Sequence, residues 1–301
     1  MKVNIYVSFK LKILQLKFNL KNVSINKIKE FWEKNPLYYG EVNFELGTIE
    51  YFENIKKIFV YDLFPGEVDK RILPKDISNK RLLDLGTGPG LYTRFFYENG
   101  CRDLYSADLT EASCDLVKKM CDIYNFKNVK ISQQNAEKTS FEDNYFDHVH
   151  CSGVIHHTEH PNKCYDEIFR ILKKDGTAVI GVYYMNFILR NWNWIKYIVK
   201  TFKLLQPNLK GRKRSKIFLL DDYKEVVRYY DGEDNPKGIA YTKKEILDIL
   251  KKNFIIEKTY LHYFPLRTLR FKLPRFIHKF LDKQLGFMIY LNVKKKVKKI
   301  V

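Results

Sequence analysis

The sequence predicts an α/β chain whose centre is a doubly wound, parallel sheet, and three features of the chain carry that prediction. Residues 81–90 read Arg-Leu-Leu-Asp-Leu-Gly-Thr-Gly-Pro-Gly, a short apolar run of buried-strand length that ends abruptly in glycines. A helical pattern follows in Leu91, Phe95 and Phe96 and closes at Gly100, giving strand, tight turn and helix. Strand-length and helix-length patterns then keep alternating, the signature of βα units. Finally, residues 177–184 are a nearly unbroken apolar run, as a strand covered on both faces requires.

Taken in order, residues 1–24 alternate, with apolar residues at odd positions from Val3 to Ile13 and at even positions from Leu14 to Leu20. This reads as an extended arm with a bulge or break, open to an edge-strand, dimer-contact or unanchored role. Residues 25–77 turn helical and aromatic and form an N-terminal cap, in which Trp32 and Tyr39 are candidates to wall a pocket. The sheet domain spans 78–301. Strands follow the glycine loop at 103–109, 128–134 and 146–154, and a helix opens at Thr110. Another opens at Pro161, a favoured first-turn position, and Lys173, Lys174 and Gly176 are expected to close it. The alternation breaks at Met185. Residues 185–240 read as an inserted amphipathic helix plus loops, and Thr242-Lys-Lys-Glu245 is a capping box that restarts the pattern. Strands at 254–263 and 287–293 close the chain.

The bulk numbers constrain partners. Of 54 basic residues 12 are arginine, so the net charge of +19 rests mainly on lysine. Such a surface suits nucleic acid or anionic lipid, yet the lysines are widely spread, which fits a solvated face without a nucleic-acid partner. Five cysteines, at 101, 114, 121, 151 and 164, form no Cys-x-x-Cys pair and no even framework. That points to a reducing, cytoplasmic setting, in line with an N-terminus whose lysines interrupt any secretory signal. His148, His150, Cys151, His156, His157 and His160 crowd together, but their spacing matches no metal motif, so no metal is expected.

The glycine loop narrows the ligand. Gly86, Gly88 and Gly90 give G-x-G-x-G, whereas dinucleotide folds carry G-x-G-x-x-G. Asp84, two residues earlier, would sit well near the ammonium of an amino-acid-bearing ligand. Here the chain resembles the class I S-adenosylmethionine-dependent methyltransferases. Residues 146–158, Phe-Asp-His-Val-His-Cys-Ser-Gly-Val-Ile-His-His-Thr, are similar to the fourth-strand signature of their type 11 members. The resemblance implies a Rossmann-like, seven-stranded, mostly parallel sheet whose last strand is antiparallel. It also implies S-adenosylmethionine as cofactor. Asp108 would accept the ribose hydroxyls and Leu109 would pack on adenine. Asn135 stands where the family usually has an acid, its carbonyl and the Ala136 N–H reading the adenine edge. Ser152 and Gly153 would lie against the methionine part, with His156 or His157 near the methyl as a candidate base. The acceptor is expected to be a small molecule, possible classes including lipid or quinone. Its pocket would be built from the cap, the 154–160 loop, Tyr183, Tyr184 and the insertion. Residues 185–205 are open to a lid or a membrane-surface role. Rival readings are an RNA-directed enzyme and a catalytically silent nucleotide-binding module. The oligomeric state is left open.

Overall fold

The computed structural model describes residues 23–38, 42–202, 214–264 and 266–297, apart from 267, 268 and 270. The expected arm up to residue 22, Tyr39 and residues 203–213 of the insertion fall outside the described residues.

Seven strands form one sheet in the order β3-β2-β1-β4-β5-β7-β6. They are β1 Arg81–Leu85, β2 Asp103–Asp108, β3 Lys130–Gln133, β4 Phe146–Ser152, β5 Leu172–Tyr183, β6 Phe254–His262 and β7 Met288–Lys295. All pairings are parallel except the two made by β7. The chain therefore leaves β1 toward β2 and β3, then returns to lay β4 on the other side of β1. That reversal between β1 and β4 opens a crevice at the carboxyl ends of the strands, where ligands of open α/β sheets sit.

Ahead of the sheet stand α1 (Ile25–Lys34) and α2 (Ile49–Asp62); α3 (Leu91–Glu98), α4 (Glu111–Ile123) and α5 (Pro161–Ile171) follow β1, β2 and β4. The insertion supplies α6 (Phe187–Arg190), α7 (Trp192–Thr201) and α8 (Tyr223–Tyr230), and α9 (Lys243–Leu250) and α10 (Arg275–Leu285) complete the set. Strand alternation divides β1 between two cores. Leu83 and Leu85 join the cluster that holds Ile168 and Ile246 from α5 and α9. Leu82 faces the opposite cluster, with Ile55, Phe96 and Val117 of α2, α3 and α4. The insertion buries a small cluster of its own around Leu189, Trp192, Ile217 and Val226.

Local chemistry fixes several boundaries. Thr110 caps α4 through its side chain, and Thr242 with Glu245 makes the expected reciprocal box on α9. Two expectations need correction. Lys173, Lys174 and Gly176 do not close α5, which stops at Ile171. Leu172 is already extended and pairs with Phe146, and the register shifts before His148 meets Thr177. Asp175, at φ +63°, carries the irregular segment, so pairing with β4 wins over helix continuation. The connection between β6 and β7, for which the sequence predicts only the two flanking strands, also holds the helix α10.

Candidate active site

A cavity of about 200 Å³ opens at the carboxyl edge of the sheet. Its walls come from the glycine loop, the ends of β2, β3 and β4, helix α1 and the end of α8.

The loop after β1 needs backbone that few side chains allow. Gly86, Gly88 and Gly90 all have positive φ, at +79°, +53° and +83°. A Cβ on Gly86 would stand 2.0 Å from Val154 Cγ2, whereas one on Gly88 would meet only Leu37 Cβ at 3.9 Å. Gly153, at φ +83°, has nothing within 4 Å of that position. Gly86, Gly88 and Gly153 therefore present bare backbone to the cavity. Gly90 does not line it. It gives up its side chain to Met120 and Val117 of α4, which pack within 3.1 Å of where a Cβ would be.

Asp108, Leu109, Asn135, Ala136 and Ser152 also line the cavity. Asp108 is held by three donors: Oδ1 accepts from Thr110 N and Oγ1, and Oδ2 accepts from Gly88 N at 2.9 Å. Asp108 stands in the cavity wall, and a carboxylate accepts hydrogen bonds at about four positions. Burial pushes the Asp108 carboxyl up from its ordinary range, against the pull of Thr110 and Gly88. Asn135 Oδ1 accepts from Glu137 N at 2.9 Å, which fixes the amide and leaves its second lone pair for an adenine amino group. Ser152 Oγ donates to the Tyr290 hydroxyl at 3.0 Å.

Two expected site residues are turned elsewhere. Asp84 is 1% exposed and does not line the cavity, because alternation along β1 places it on the α3 side with Leu82. Its Oδ2 accepts from Thr93 Oγ1 at 2.7 Å and its Oδ1 lies 3.0 Å from His150 Nδ1. Having given its proton to Asp84, Thr93 Oγ1 accepts from Thr87 Oγ1, so the carboxylate braces the glycine loop from below. His156 is fully buried and outside the cavity wall, packed 4.0 Å from the Tyr183 ring. Burial drives its pKa well below the usual imidazole value, and neither ring nitrogen has a hydrogen-bond partner among the described residues.

His157 does reach the cavity. Its Nδ1–H donates to the Lys237 carbonyl at 2.6 Å, which turns Nε2 toward Asp231 Oδ2 at 3.5 Å. Trp32 stands edge-on to this ring at 5.0 Å. Asp231, 4% exposed, accepts from the Tyr183 hydroxyl through both oxygens, at 3.0 and 2.9 Å. Tyr230 and Tyr263, whose hydroxyls bond to each other, complete this end of the cavity. Tyr184, by contrast, pairs with Tyr241 and is not among the lining residues. Sequence reasoning missed Asp231, although the acidic run Tyr230-Asp-Gly-Glu-Asp-Asn-Pro236 marked the place. Val154, from the 154–160 loop expected in the pocket wall, lines the cavity, as does Gln134, to which the sequence reading gave no role.

Residues 83–180 match the family model of the type 11 methyltransferase domain. They form a class I, S-adenosylmethionine-dependent methyltransferase domain. YcgJ, an uncharacterized methyltransferase of Bacillus subtilis, is 28% identical over 107 residues, which are 36% of this chain and 42% of YcgJ. The ubiquinone/menaquinone biosynthesis C-methyltransferase UbiE of Zymomonas mobilis is 25% identical over 143 residues, 48% of this chain and 56% of UbiE. The chain thus spans about half the length of these curated relatives. The crystal structure of PH0226 protein from Pyrococcus horikoshii shares the fold at a TM-score of 0.52, with 17% identity over 89% of this chain and 99% of that one.

The cavity fits the cofactor of this class. Open backbone at Gly88 and Gly153, a carboxylate with acceptor capacity at Asp108 and the amide edge of Asn135 suit, in turn, the amino-acid part, the ribose and the adenine of S-adenosylmethionine.

Proposed function

We propose that this chain transfers a methyl group from S-adenosylmethionine to a small acceptor that sits among Trp32, Tyr183, Tyr230, Tyr263 and Asp231. One observation carries the reading: a single cavity joins the glycine loop and Asp108 at one end to the Asp231–His157 pair at the other. When bound, the cofactor supplies an already activated methyl, which leaves the protein the work of alignment and proton transfer.

The chain's own residues divide that work. Gly88, Asp108 and Asn135 hold the cofactor end in register. Trp32 and Tyr183 exclude water and orient a flat or apolar acceptor. A hydroxyl, amine or activated carbon then loses its proton to the Asp231–His157 pair. Nε2 is the ring nitrogen turned toward Asp231, because Nδ1 donates to the Lys237 carbonyl, and the carboxylate would stabilise the imidazolium that forms. The similarity to UbiE supports an apolar or quinone-like acceptor.

The test is incubation of the chain with methyl-labelled S-adenosylmethionine and cell extract, followed by identification of the labelled product. A labelled small molecule and stoichiometric S-adenosylhomocysteine are expected. Label confined to RNA overturns the acceptor class, and cofactor binding with no turnover on any extract overturns the activity.

A further inference from the structure

We propose that α7 and α10 together form a docking platform for an anionic lipid bilayer. Water normally selects helices with apolar residues inside and charges outside. Both of these helices depart from that order, with polar residues at their most buried positions and large aromatics exposed. On α7, Lys196 is 5% exposed and bonds to the Leu220 carbonyl and the Asp221 carboxylate, while Trp194 and Tyr197 are 68% and 64% exposed. On α10, His278 and Asp282 are buried, at 2% and 1%, whereas Phe276 and Phe280 are 73% and 63% exposed.

The polar residues inside have partners that hold the helices this way round. Asp282 bonds to His262, and His278 Nε2 lies 3.0 Å from the Phe264 carbonyl oxygen. Rotating either helix to bury its aromatics would break these bonds and bury cations. The exposed aromatics are thus built into the packing, and the C-terminal end of α10 is joined to the start of the insertion where Asn186, the cap of α6, donates to the Leu285 carbonyl at 2.7 Å.

Charge selects the occupant. Across residues 187–201 and 271–285 the only acid is Asp282, which is buried, while Arg190, Lys200, Lys272, Arg275, Lys279 and Lys283 are all exposed. Exposed Trp, Tyr and Phe on helices whose exposed charges are all cations suit the headgroup region of a bilayer that carries negative lipids, and the exposed carboxylates nearby, Asp221 and Glu67, are each paired with a platform cation, Lys196 and Arg275. No helix among the described residues is long and apolar enough to cross a membrane, so the contact is peripheral. The platform also backs onto the acceptor end of the cavity. Arg275 donates to the Pro65 carbonyl behind Leu63, and Trp192 donates to Leu220 on the segment leading into α8 and Asp231.

The full chain is floated with vesicles of phosphatidylcholine alone and with vesicles containing about one third phosphatidylglycerol. Flotation with the anionic vesicles, weakened by salt, is expected. The pairs Phe276→Asp with Phe280→Asp, and Trp194→Asp with Tyr197→Asp, should each lower partitioning at least about tenfold. Lys279→Gln should lower it about fivefold on anionic vesicles and leave neutral ones unaffected. Melting followed by circular dichroism checks that the variants fold, and S-adenosylmethionine titration checks that the cavity is intact. Failure to float, or equal flotation of the aspartate variants, overturns the platform. So does sedimentation of the unmodified chain as a non-floating dimer that those same substitutions dissociate. None of these outcomes bears on methyl transfer, which is scored separately by product formation.

Discussion

Two adjacent histidines, 156 and 157, differ in almost every physical respect. His156 is sealed in the core beside Tyr183, whereas His157 has one nitrogen anchored and the other turned toward a carboxylate in the cavity. Replacing the imidazole of His156 by a side chain with no polar atoms removes two buried nitrogens that have no partner among the described residues. His156→Leu should therefore leave turnover intact and raise stability by about 1 kcal/mol, read by denaturant unfolding. Asp231→Asn keeps the shape and removes the charge. We expect kcat to fall about 100-fold while the cofactor Kd from calorimetry is unchanged. An unaltered kcat in this variant would remove Asp231 from the proton path. Gly86→Ala adds a methyl 2.0 Å from Val154 Cγ2 at φ +79°. The backbone penalty alone is about 1–2 kcal/mol, and cofactor binding should be lost along with it.

At the scale of elements, two strands carry buried histidines of opposite sign. His148 on β4 lies beside Thr177, and burial lowers its pKa to about 3. The unfolded chain takes up a proton near pH 6.5 that the folded strand refuses. Stability therefore falls as pH drops below that value, by up to about 1.4 kcal/mol per unit. His262 on β6 is clamped between Asp282 at 2.7 Å and Asp69 at 2.9 Å. Burial alone would lower its pKa, but the bonds and charges of Asp282 and Asp69 outweigh it and the pKa is raised. Its contribution is complete below the unfolded value and is lost as pH rises through the folded one. Unfolding curves across pH should accordingly lose their acid slope in His148→Leu and their neutral-to-alkaline slope in His262→Gln. The second variant should also cost about 3 kcal/mol near pH 6, because the buried Asp282 carboxylate loses its cation, whereas Asp69 keeps Arg71.

The whole molecule depends on how α1 closes over the sheet. Glu33 at its end caps a helix on the far side of the crevice, accepting from Glu111 N and Ala112 N at the start of α4 at 3.1 and 2.7 Å. The other end is held where Ile25 N donates to Glu159. Between these two anchors Ile28 and Trp32 face the cavity. Glu33→Gln keeps the size and removes the charge facing the helix N-terminus, an interaction worth about 0.3–1 kcal/mol. We expect a modest rise in the cofactor Kd and faster quenching of Trp32 fluorescence by acrylamide. Saturating S-adenosylmethionine at about 100 times its Kd should stabilise the unmodified chain by about 2.7 kcal/mol.

Local chemistry written into consecutive residues was legible from the chain itself. The strand–glycine–helix turn at 81–100, the carboxylate at the tip of β2, the caps at Thr110 and Thr242 and the alternation of βα units all rest on residues close in sequence. What needed the tertiary structure was direction and partnership across distance. Asp84 and Asp108 are both acids on neighbouring parallel strands, and only the pleat and the helix packed on each decide that one braces the loop while the other faces the ligand. Asp231 becomes part of the site only because the insertion folds back, 74 residues along the chain from His157, to meet it. The inverted helices α7 and α10 look like ordinary amphipathic segments until their partners are known. Helical periodicity shows that a helix has two faces, and long-range hydrogen bonds decide which one is turned inward.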